Sequence, residues 1–483
     1  MNADKENILK SKDAELIKVV PTQRQLLHQQ MEFYAFVHFT VNTFTGREWG
    51  DGTESPEIFN PTEFDADQWV NAIQEAGMSG LILTCKHHDG FCLWPSKYTK
   101  HTIEYSPFRN GKGDIVGDVA KACKKAGIAF GVYLSPWDRN SALYGKGREY
   151  DDFFIHQLEE LLTQYGEIFA VWFDGACGEG PNGKKQYYDW DRYYETIRRL
   201  QPNANISVCG PDVRWCGNEA GHTRQSEWSV VPKRTADTEK IAAASQHTDD
   251  NRFRERKISA SDEDLGSREV LKDEKEFIWY PAEVNTSIRP GWFYHDFEDD
   301  KVKPLKELIY VYEHSVGGNA TFLLNIPPSP KGLLHQNDVA RLRQLGDYLR
   351  LEYADNKISD KWGVTICADY SEAGHGAENV KCDDYGTYFK TGDGQRECTL
   401  TFTWPEEIRA GHLVLKENIL LSQRVESFEV IAAGNDGREE IIGRGTVIGY
   451  KKIVSFGERS IKTLKVKITD SRVSPTLSFA GLY

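Results

Sequence analysis

The stretch Ala170-Val171-Trp172-Phe173-Asp174-Gly175 is an apolar run that ends in an Asp-Gly pair. Its length and its aromatic residues predict a buried strand, and the glycine predicts a turn directly after it. A carboxylate in that position stands at a rigid strand end with space above it. The alternative interpretation is an aspartate that only forms the turn. The residues on either side of this stretch decide between the two interpretations.

The segments on either side repeat one order, a short apolar run followed by an amphipathic helical stretch. We predict strands at 33–39, 80–85, 129–135, 169–174, 205–209, 226–231, 277–284 and 320–326. Helices are predicted at 67–76, 115–126, 150–164, 190–200 and 336–351. This alternation is typical of parallel βα units, and eight of them over about 300 residues match the size of a barrel. We therefore predict an α/β fold, a (β/α)8 TIM-like barrel over residues 1–351.

The pattern changes near residue 352 to short strands separated by turn signals such as Asn435-Asp436-Gly437. Strands are predicted at 399–403, 412–416, 427–432, 446–454, 464–469 and 476–481. Residues 352–483 should form an all-β sandwich similar to a carbohydrate-binding module, or a structural brace against the barrel. The polar segment 232–276, between predicted strands six and seven, is either an insertion over the active face or a solvated loop.

Composition excludes several function classes. The 483 residues carry a formal net charge of −14 without a long basic cluster, so we expect no nucleic-acid partner. No apolar run is long enough to span a membrane. The nine cysteines contain no CxxC pair, which gives no sign of a zinc or thiol redox site. We expect no cofactor, and a secreted or periplasmic location with the signal absent from the given chain; the cytoplasm is the alternative.

Polar and aromatic residues follow the predicted strands of the barrel. Catalytic groups in such barrels come from the carboxyl ends of the strands and from the loops after them. The candidates from the first four strands and their loops are His38, Glu48, Trp49, His87, His88, Tyr133, Trp172 and Asp174. Each of them alone could be a core residue, but their shared position at strand ends favours a common site.

Cleavage of a glycosidic bond needs two carboxyl groups, one at the anomeric carbon and one that donates and accepts a proton. Asp174 is our candidate for the first role. Glu219, in a loop after the fifth strand, is the candidate for the second, with Glu227 and then Glu283 as alternatives. His87 and His88 are adjacent and would point in opposite directions on a strand, so we expect hydrogen bonds to sugar hydroxyls rather than a metal.

At these residues the chain resembles the α-L-fucosidases of glycoside hydrolase family 29. The similar stretches are Phe36-Val37-His38-Phe39, Arg47-Glu48-Trp49-Gly50, Lys86-His87-His88-Asp89-Gly90-Phe91, Val171-Trp172-Phe173-Asp174-Gly175 and the block from Trp292 to Glu298. The resemblance implies a retaining mechanism in which Asp174 is the nucleophile and Glu219 the acid/base. It also implies a fucose pocket lined by the strand-end residues given above, with Trp292 closing it near the methyl group of the sugar.

Two further stretches resemble one subgroup of that family. They are the segment from Gly210 through Arg214 to Glu219, and Asp264-Leu265-Gly266-Ser267-Arg268. The resemblance implies cleavage of α-1,3/1,4-linked fucose from branched, Lewis-type glycans, and it adds Arg214 to the residues expected to bind substrate. The fucosylated oligosaccharide or glycoconjugate is then the expected partner.

The two-carboxyl mechanism also predicts a pKa shift and a pH dependence of the rate. The pKa of Glu219 should be raised by the Asp174 charge and by burial, and the pH–rate profile should be bell-shaped. Two alternatives stay open: a metal-dependent barrel hydrolase that uses His38, His87, His88 and Asp174, and a catalytically inactive protein that only binds fucose.

Overall fold

The computed structural model describes residues 12–245 and 264–483, so the middle of the predicted insertion lies outside the described residues. The helices are Gln23–Met31, Val41–Thr45, Ala66–Glu75, Ile115–Ala126, Arg148–Gln164, Trp190–Leu200, Thr238–Ala244, Arg268–Leu271, Leu305–Ser315 and Gln336–Glu352. Short 3-10 turns lie at Pro56–Ile58, Ile103–Tyr105, Phe108–Gly111, Lys233–Ala236, Asp296–Glu298, Asp360–Trp362, Ala377–Lys381 and Ile419–Leu421.

The first ten strands are β1 (Phe33–Val37), β2 (Gly80–Lys86), β3 (Ala129–Leu134), β4 (Ala170–Phe173), β5 (Asn205–Val208), β6 (Arg214–Trp215), β7 (Val230–Pro232), β8 (Phe277–Trp279), β9 (Ala282–Ser287) and β10 (Ala320–Asn325). Eight of them form one sheet in the order β5-β4-β3-β2-β1-β10-β9-β6. A parallel bridge between Ser207 and Val213 joins the two ends of that sheet. The predicted TIM-like barrel is therefore confirmed.

The predicted sixth and seventh strands need correction. Within the region 226–231, Val230 and Val231 lie in β7, which pairs antiparallel with β8 outside the barrel. The sixth barrel position is taken by β6, two residues long, which pairs in parallel with β9. Pro281 separates β8 from β9, because proline has no backbone N–H to donate to a continuing ladder. A two-residue strand that contains an arginine has no apolar run, so the sequence pattern could not reveal it.

Alternation along the strands decides which side chains reach the site. Successive strand residues point to opposite faces of a sheet. In β4, Ala170 and Trp172 join the small aromatic cluster that also contains Phe36 and Tyr133. Phe173 packs in the main core cluster and contacts the ring of Phe154 from a surrounding helix. The next residue on the Trp172 side is Asp174, which the alternation therefore directs toward the inside of the barrel mouth.

The helix Ile115–Ala126 shows how local sequence fixes these elements. Asp114 caps its start by accepting a hydrogen bond from the N–H of Gly117 at 2.9 Å. Gly127 ends it with a φ of 70°, a left-handed conformation that costs glycine little. Both bounds agree with the sequence prediction, because the capping residues and the apolar periodicity point to the same limits.

The C-terminal part consists of antiparallel sheets, as predicted. Its strands are β11 (Thr365–Ala368), β12 (Phe389–Lys390), β13 (Cys398–Lys416), β14 (Val425–Ala433), β15 (Glu439–Gly445), β16 (Lys452–Ser471), β17 (Thr476–Leu477) and β18 (Phe479–Leu482). Six of them form one sheet, and β12 pairs with β17. The strand predicted at 446–454 was wrong in its first half: β15 ends at Gly445, and β16 begins at Lys452.

The loop between β15 and β16 reaches the barrel. The N–H of Tyr450 donates to Oδ1 of Asn319 at 2.7 Å, and Asn319 precedes β10 directly. At the amino end of the barrel, Lys451 forms an ion pair with Glu32 at 2.7 Å. Among the described residues no helix is both long and apolar enough to cross a membrane.

Candidate active site

Asp174 is held at the carboxyl end of β4 by two donors. The hydroxyl of Tyr133 donates to Oδ2 at 2.9 Å, and the N–H of Ala176 donates to Oδ1 at 2.8 Å. Burial and the neighbouring carboxylate raise the pKa of Tyr133 well above its usual range, so this hydroxyl keeps its proton and donates. The Asp174 side chain is 22% exposed. It is therefore oriented by the protein and still accessible.

Two histidines lie beside this carboxylate. Nε2 of His88 is 3.6 Å from Oδ2 of Asp174, and the ring of His87 lies 4.1 Å from that of His88. The Ser135 hydroxyl donates to a backbone carbonyl at 2.7 Å, so it accepts from Nδ1 of His88 at 2.8 Å. Trp49 covers His88 edge-on, with ring centroids 5.3 Å apart. The tautomer of His88 is thus set by a hydrogen bond behind the site.

His38 is oriented by Asn325, the last residue of β10. The Asn325 amide group donates to the carbonyl of Trp292 at 2.8 Å, so its oxygen faces Nδ1 of His38 at 2.8 Å. Nδ1 therefore carries the proton, and Nε2 is left as an acceptor. Burial lowers the pKa of His38 to about 4, so the ring is neutral near pH 7. The pKa of buried His87 is lowered in the same way.

Trp292 joins Glu219 to the ring cluster that lies beside Asp174. Its indole N–H donates to Oε2 of Glu219 at 2.9 Å, and its ring lies 5.2 Å from the ring of His38. Glu48 holds the Trp292 backbone: its carboxylate accepts from the N–H of Trp292 at 2.8 Å and faces Nε2 of His295 at 2.8 Å. His38 in turn contacts the ring of Tyr133, the residue that donates to Asp174. Glu219 and Asp174 therefore border one cluster of aromatic and imidazole rings.

Trp172 forms part of the floor of this cluster. Its ring lies 5.0 Å from that of Tyr133, and the parallel register of β3 and β4 places these two residues side by side. The indole N–H of Trp172 donates to Oε1 of Glu283 at 2.8 Å. Glu283 is fully buried and also accepts from the Tyr34 hydroxyl. Burial raises the pKa of Glu283 to about 7.

Arg214 and Glu227 pair with each other away from the sugar-facing residues. The guanidinium of Arg214 binds Glu227 and donates to the carbonyls of Tyr280 at 2.9 Å and Trp228 at 2.8 Å. Both side chains are buried. Of the substrate-binding candidates, Arg214 is the one whose contacts place it behind the site, in the strand that supports it.

Sequence reasoning passed over two residues that orient the site. Asn325 orients His38, and Ser135 orients His88. Both lie at or just beyond the carboxyl end of a barrel strand, β10 and β3 respectively. A search for polar residues at the end of the eighth strand would have found Asn325. The role of Ser135 depends on a side-chain direction that sequence does not give.

In the part of the chain that the structure describes, one group of residues has the donor atoms for a metal. His87, His88 and Asp174 offer nitrogen and carboxylate donors that lie within 4.8 Å of one another. His87 Nδ1 is buried without a hydrogen-bond partner. The same three residues suit a sugar equally well, because neutral imidazoles can donate to or accept from hydroxyl groups.

Comparison with known proteins identifies the family of the chain. The family model described as alpha-L-fucosidase matches residues 20–353. The chain belongs to the α-L-fucosidase family. It is 38% identical to alpha-L-fucosidase 1 of Arabidopsis thaliana over 470 residues, which cover 96% of this chain and 87% of the relative. The chain is accordingly a glycoside hydrolase, and a retaining mechanism is typical of this family, glycoside hydrolase family 29.

Solved structures agree over nearly the whole chain. A protein from Bacteroides ovatus is 44% identical with a TM-score of 0.84, covering 98% of this chain and 76% of its own. A family 29 fucosidase from Ruminococcus gnavus, solved in complex with fucose, is 28% identical with a TM-score of 0.83 over 96% of this chain and 95% of its own. The likeness includes the C-terminal sheets as well as the barrel.

Proposed function

We propose that this α-L-fucosidase is a retaining exo-enzyme in which Asp174 is the nucleophile and Glu219 the acid/base. The observation that carries the proposal is the carboxylate of Asp174, fixed by the Tyr133 hydroxyl and the Ala176 N–H and still 22% exposed. A nucleophile needs both properties, because its attacking oxygen must be aimed and must also reach the substrate.

The reaction proceeds in two displacements. An oxygen of Asp174 attacks the anomeric carbon, the bond to the leaving oxygen breaks, and Glu219 gives that oxygen its proton. Glu219, now ionised, takes a proton from water, and the hydroxide oxygen displaces Asp174 to release fucose. This sequence requires the two carboxyl groups to stand about 5 Å apart. In support of the two roles, Asp174 and Glu219 accept hydrogen bonds from Tyr133 and Trp292, two members of one ring cluster around His38.

The surrounding residues divide into two kinds of sugar contact. Glu48, His38, His87 and His88 offer acceptors and donors for hydroxyl groups. Trp49, Tyr133, Trp172 and Trp292 offer aromatic surface for the apolar face of a deoxy-sugar and its methyl group. The proposal leaves Arg214 out of the pocket, because Glu227 and two carbonyls already bind its guanidinium.

Azide trapping tests the two carboxyl roles separately. With an aryl α-L-fucoside, Asp174→Ala should lose almost all turnover, and azide should restore it by direct displacement, giving the β-fucosyl azide. In Glu219→Ala, azide should intercept the fucosyl-enzyme and give the α-fucosyl azide. Nuclear magnetic resonance distinguishes these anomers. The opposite assignment of products, or hydrolysis at the wild-type rate in Asp174→Ala, would refute the proposal.

We further propose that the substrates are branched, Lewis-type glycans with α-1,3- or α-1,4-linked fucose. The support is the resemblance of the segments around Arg214–Trp215 and Asp264–Arg268 to one subgroup. Product analysis on oligosaccharides with α-1,2, α-1,3, α-1,4 and α-1,6 linkages tests it. Release of fucose from the second and third alone is expected, and efficient cleavage of the first or fourth would contradict it.

A metal-dependent hydrolysis is the second candidate, favoured by the donor cluster of His87, His88 and Asp174. It predicts that exhaustive chelation abolishes activity and that added Zn²⁺ restores it. The two-carboxylate mechanism predicts the reverse, full activity after chelation. One dialysis experiment separates the two candidates.

A further inference from the structure

The loop that carries Glu219 is closed on itself by one asparagine. In residues 217–222, Oδ1 of Asn218 accepts from the N–H of Ala220 at 3.0 Å and of His222 at 3.2 Å. Nδ2 of Asn218 donates to the carbonyl of His222 at 2.9 Å. The Asn218 side chain is fully buried. The loop is therefore a compact turn, and its position depends on how its two ends are fixed.

Arg224 ties the exit of this loop to its entrance. Nη1 of Arg224 donates to the carbonyl of Cys216 at 2.9 Å. The N–H of Cys216 donates to the carbonyl of Glu283 in β9 at 3.0 Å, so the entrance is attached to the barrel. Glu219 thus lies between a residue bound to the sheet and an arginine that reaches back to that same residue.

The Arg224 side chain is in turn fixed by Glu227. Oε1 of Glu227 lies 3.4 Å from Nη1 of Arg224, and Oε2 accepts from the Arg224 N–H at 3.3 Å. Glu227 also binds Arg214 of β6. The side chains of Glu227, Arg214 and Arg224 are 0%, 5% and 8% exposed. Two buried guanidinium groups therefore share the negative charge of one carboxylate. Because the Glu227 side chain is fully buried, neither of its oxygens is available to a substrate.

The segment around Glu227 is also held from the C-terminal sheets. Nδ2 of Asn319 donates to the Glu227 carbonyl at 2.7 Å, and Asn319 is bound by the N–H of Tyr450. The hydroxyl groups of Ser226 and Thr446 lie 2.5 Å apart. Contacts from the C-terminal part thus reach Glu227, which is two hydrogen-bonding steps from the loop of Glu219.

We propose that Arg224 and Glu227 are positioning residues for the acid/base, and that the C-terminal sheets brace them. The inference rests on the proposed function of Glu219. On this proposal Glu227 holds Glu219, the proton donor, in line with the leaving oxygen. Glu227 itself does not contact the sugar. A displacement of about 1 Å at such a group can cost about 100-fold in rate.

Substrates with different leaving groups give the decisive measurement. An aryl fucoside with an acidic phenol needs little protonation, whereas an oligosaccharide alcohol needs a proton from the enzyme. Glu219→Ala should therefore keep most of its kcat/KM on the aryl fucoside and lose it on the oligosaccharide. Its kcat on the aryl fucoside should fall and be restored by azide, because water is no longer activated.

Arg224→Met is the test variant, because it leaves Arg214 and Glu227 as a neutral one-to-one pair and so removes the tie without stranding a charge. We expect about a 10- to 100-fold loss of kcat/KM on the oligosaccharide and less than about a threefold loss on the aryl fucoside, with azide restoring kcat. Arg224→Lys keeps the charge near Glu227 and should recover part of the loss. Arg396→Met removes one of the two arginines that pair with the buried Asp13 and leaves its pair with Arg268, so it is the matched control and should affect both substrates equally.

The kinetic results on the two substrates decide whether the inference about Arg224 holds. Equal losses on both substrates in Arg224→Met, without azide rescue, would overturn the inference, and so would unchanged kinetics. If Arg224→Met fails to fold, the same comparison on Arg224→Lys decides. If Glu219→Ala itself shows no dependence on the leaving group, the proposed function fails, and the inference fails with it. If only Arg224 variants lack that dependence, the inference alone is wrong.

Discussion

The rim of the barrel and the layer just behind it both carry acidic residues, but their surroundings differ. At the rim, Asp174 is 22% exposed and Glu219 is partly exposed, and both border the ring cluster. Behind it, Glu227 and Glu283 are buried and their oxygens are bound by arginine, tyrosine or tryptophan donors. In the sequence all four are acids on or near a predicted strand. What separates a reacting carboxylate from a supporting one is whether protein or solvent covers it.

The comparison predicts opposite consequences of substitution. A rim carboxylate contributes to the transition state and little to the fold, whereas a buried one compensates charge and contributes mainly to the fold. Activity and stability measured on the same variants should therefore separate the two regions.

The largest effect is expected at Asp174. Asp174→Ala should lower kcat at least about 10⁴-fold, equivalent to about 5 kcal/mol, because it removes the covalent step. Its midpoint of unfolding in urea should stay close to that of the wild-type chain, since the side chain is partly solvated. Steady-state kinetics and urea titration on one preparation check both values. A large loss of stability would place Asp174 with the supporting residues.

Glu227→Gln should show the reverse balance. Removal of the carboxylate leaves Arg214 and Arg224 buried without a counter-charge, at a cost of about 3–5 kcal/mol in the free energy of unfolding. Glu429→Gln breaks the exposed pair with Arg444 and should cost less than about 1 kcal/mol. Urea denaturation of the two variants measures the difference. Similar small shifts in both would mean that the Glu227 cluster does not hold this layer together.

Glu283 predicts a pH dependence of stability. Its pKa is raised from 4.5 to about 7, so between these values the folded chain holds a proton that the unfolded chain has lost. Stability should therefore fall as pH rises from 4.5 to 7, by up to about 3 kcal/mol from this group. In Glu283→Gln this contribution is absent, and its stability relative to wild type should rise over the same range. Parallel stability curves for the two proteins would contradict this.

The smallest effect concerns the brace from the C-terminal part. Thr446→Val keeps the volume and removes the hydroxyl that bonds Ser226, for a loss of about 1 kcal/mol. Its kcat/KM on an oligosaccharide should fall slightly more than on an aryl fucoside. A uniform loss on both substrates would limit the role of this contact to stability.

Much of the fold could be predicted from the chain because the signals are local. The helix Ile115–Ala126 is bounded by its own capping residues, and β4 is a continuous apolar run. The failures lie where tertiary pairing overrides local pattern. Two residues, Arg214 and Trp215, act as a barrel strand because β9 offers them a partner, and the apolar residues of β7 pair with β8 instead.

The site divides in the same manner. The sequence predicted His38, Tyr133, Trp172 and Asp174 as site residues from their positions at strand ends, because parallel strands end at one face of a barrel. Arg214 followed from resemblance alone, and the structure places it in a buried ion pair. Whether a glutamate after the fifth strand faces solvent or an arginine cannot be read from its neighbours in the chain.

The sequence by itself determined the family, the barrel apart from its sixth strand, and the aspartate at the end of the fourth strand, since these depend on short contiguous stretches of residues. The tertiary structure alone decided that Glu227 and Glu283 are enclosed, that Glu219 meets the indole of Trp292, and that the C-terminal loop reaches Asn319. Burial and hydrogen bonding are made by residues far apart in the chain, and a carboxyl group acquires its role from them.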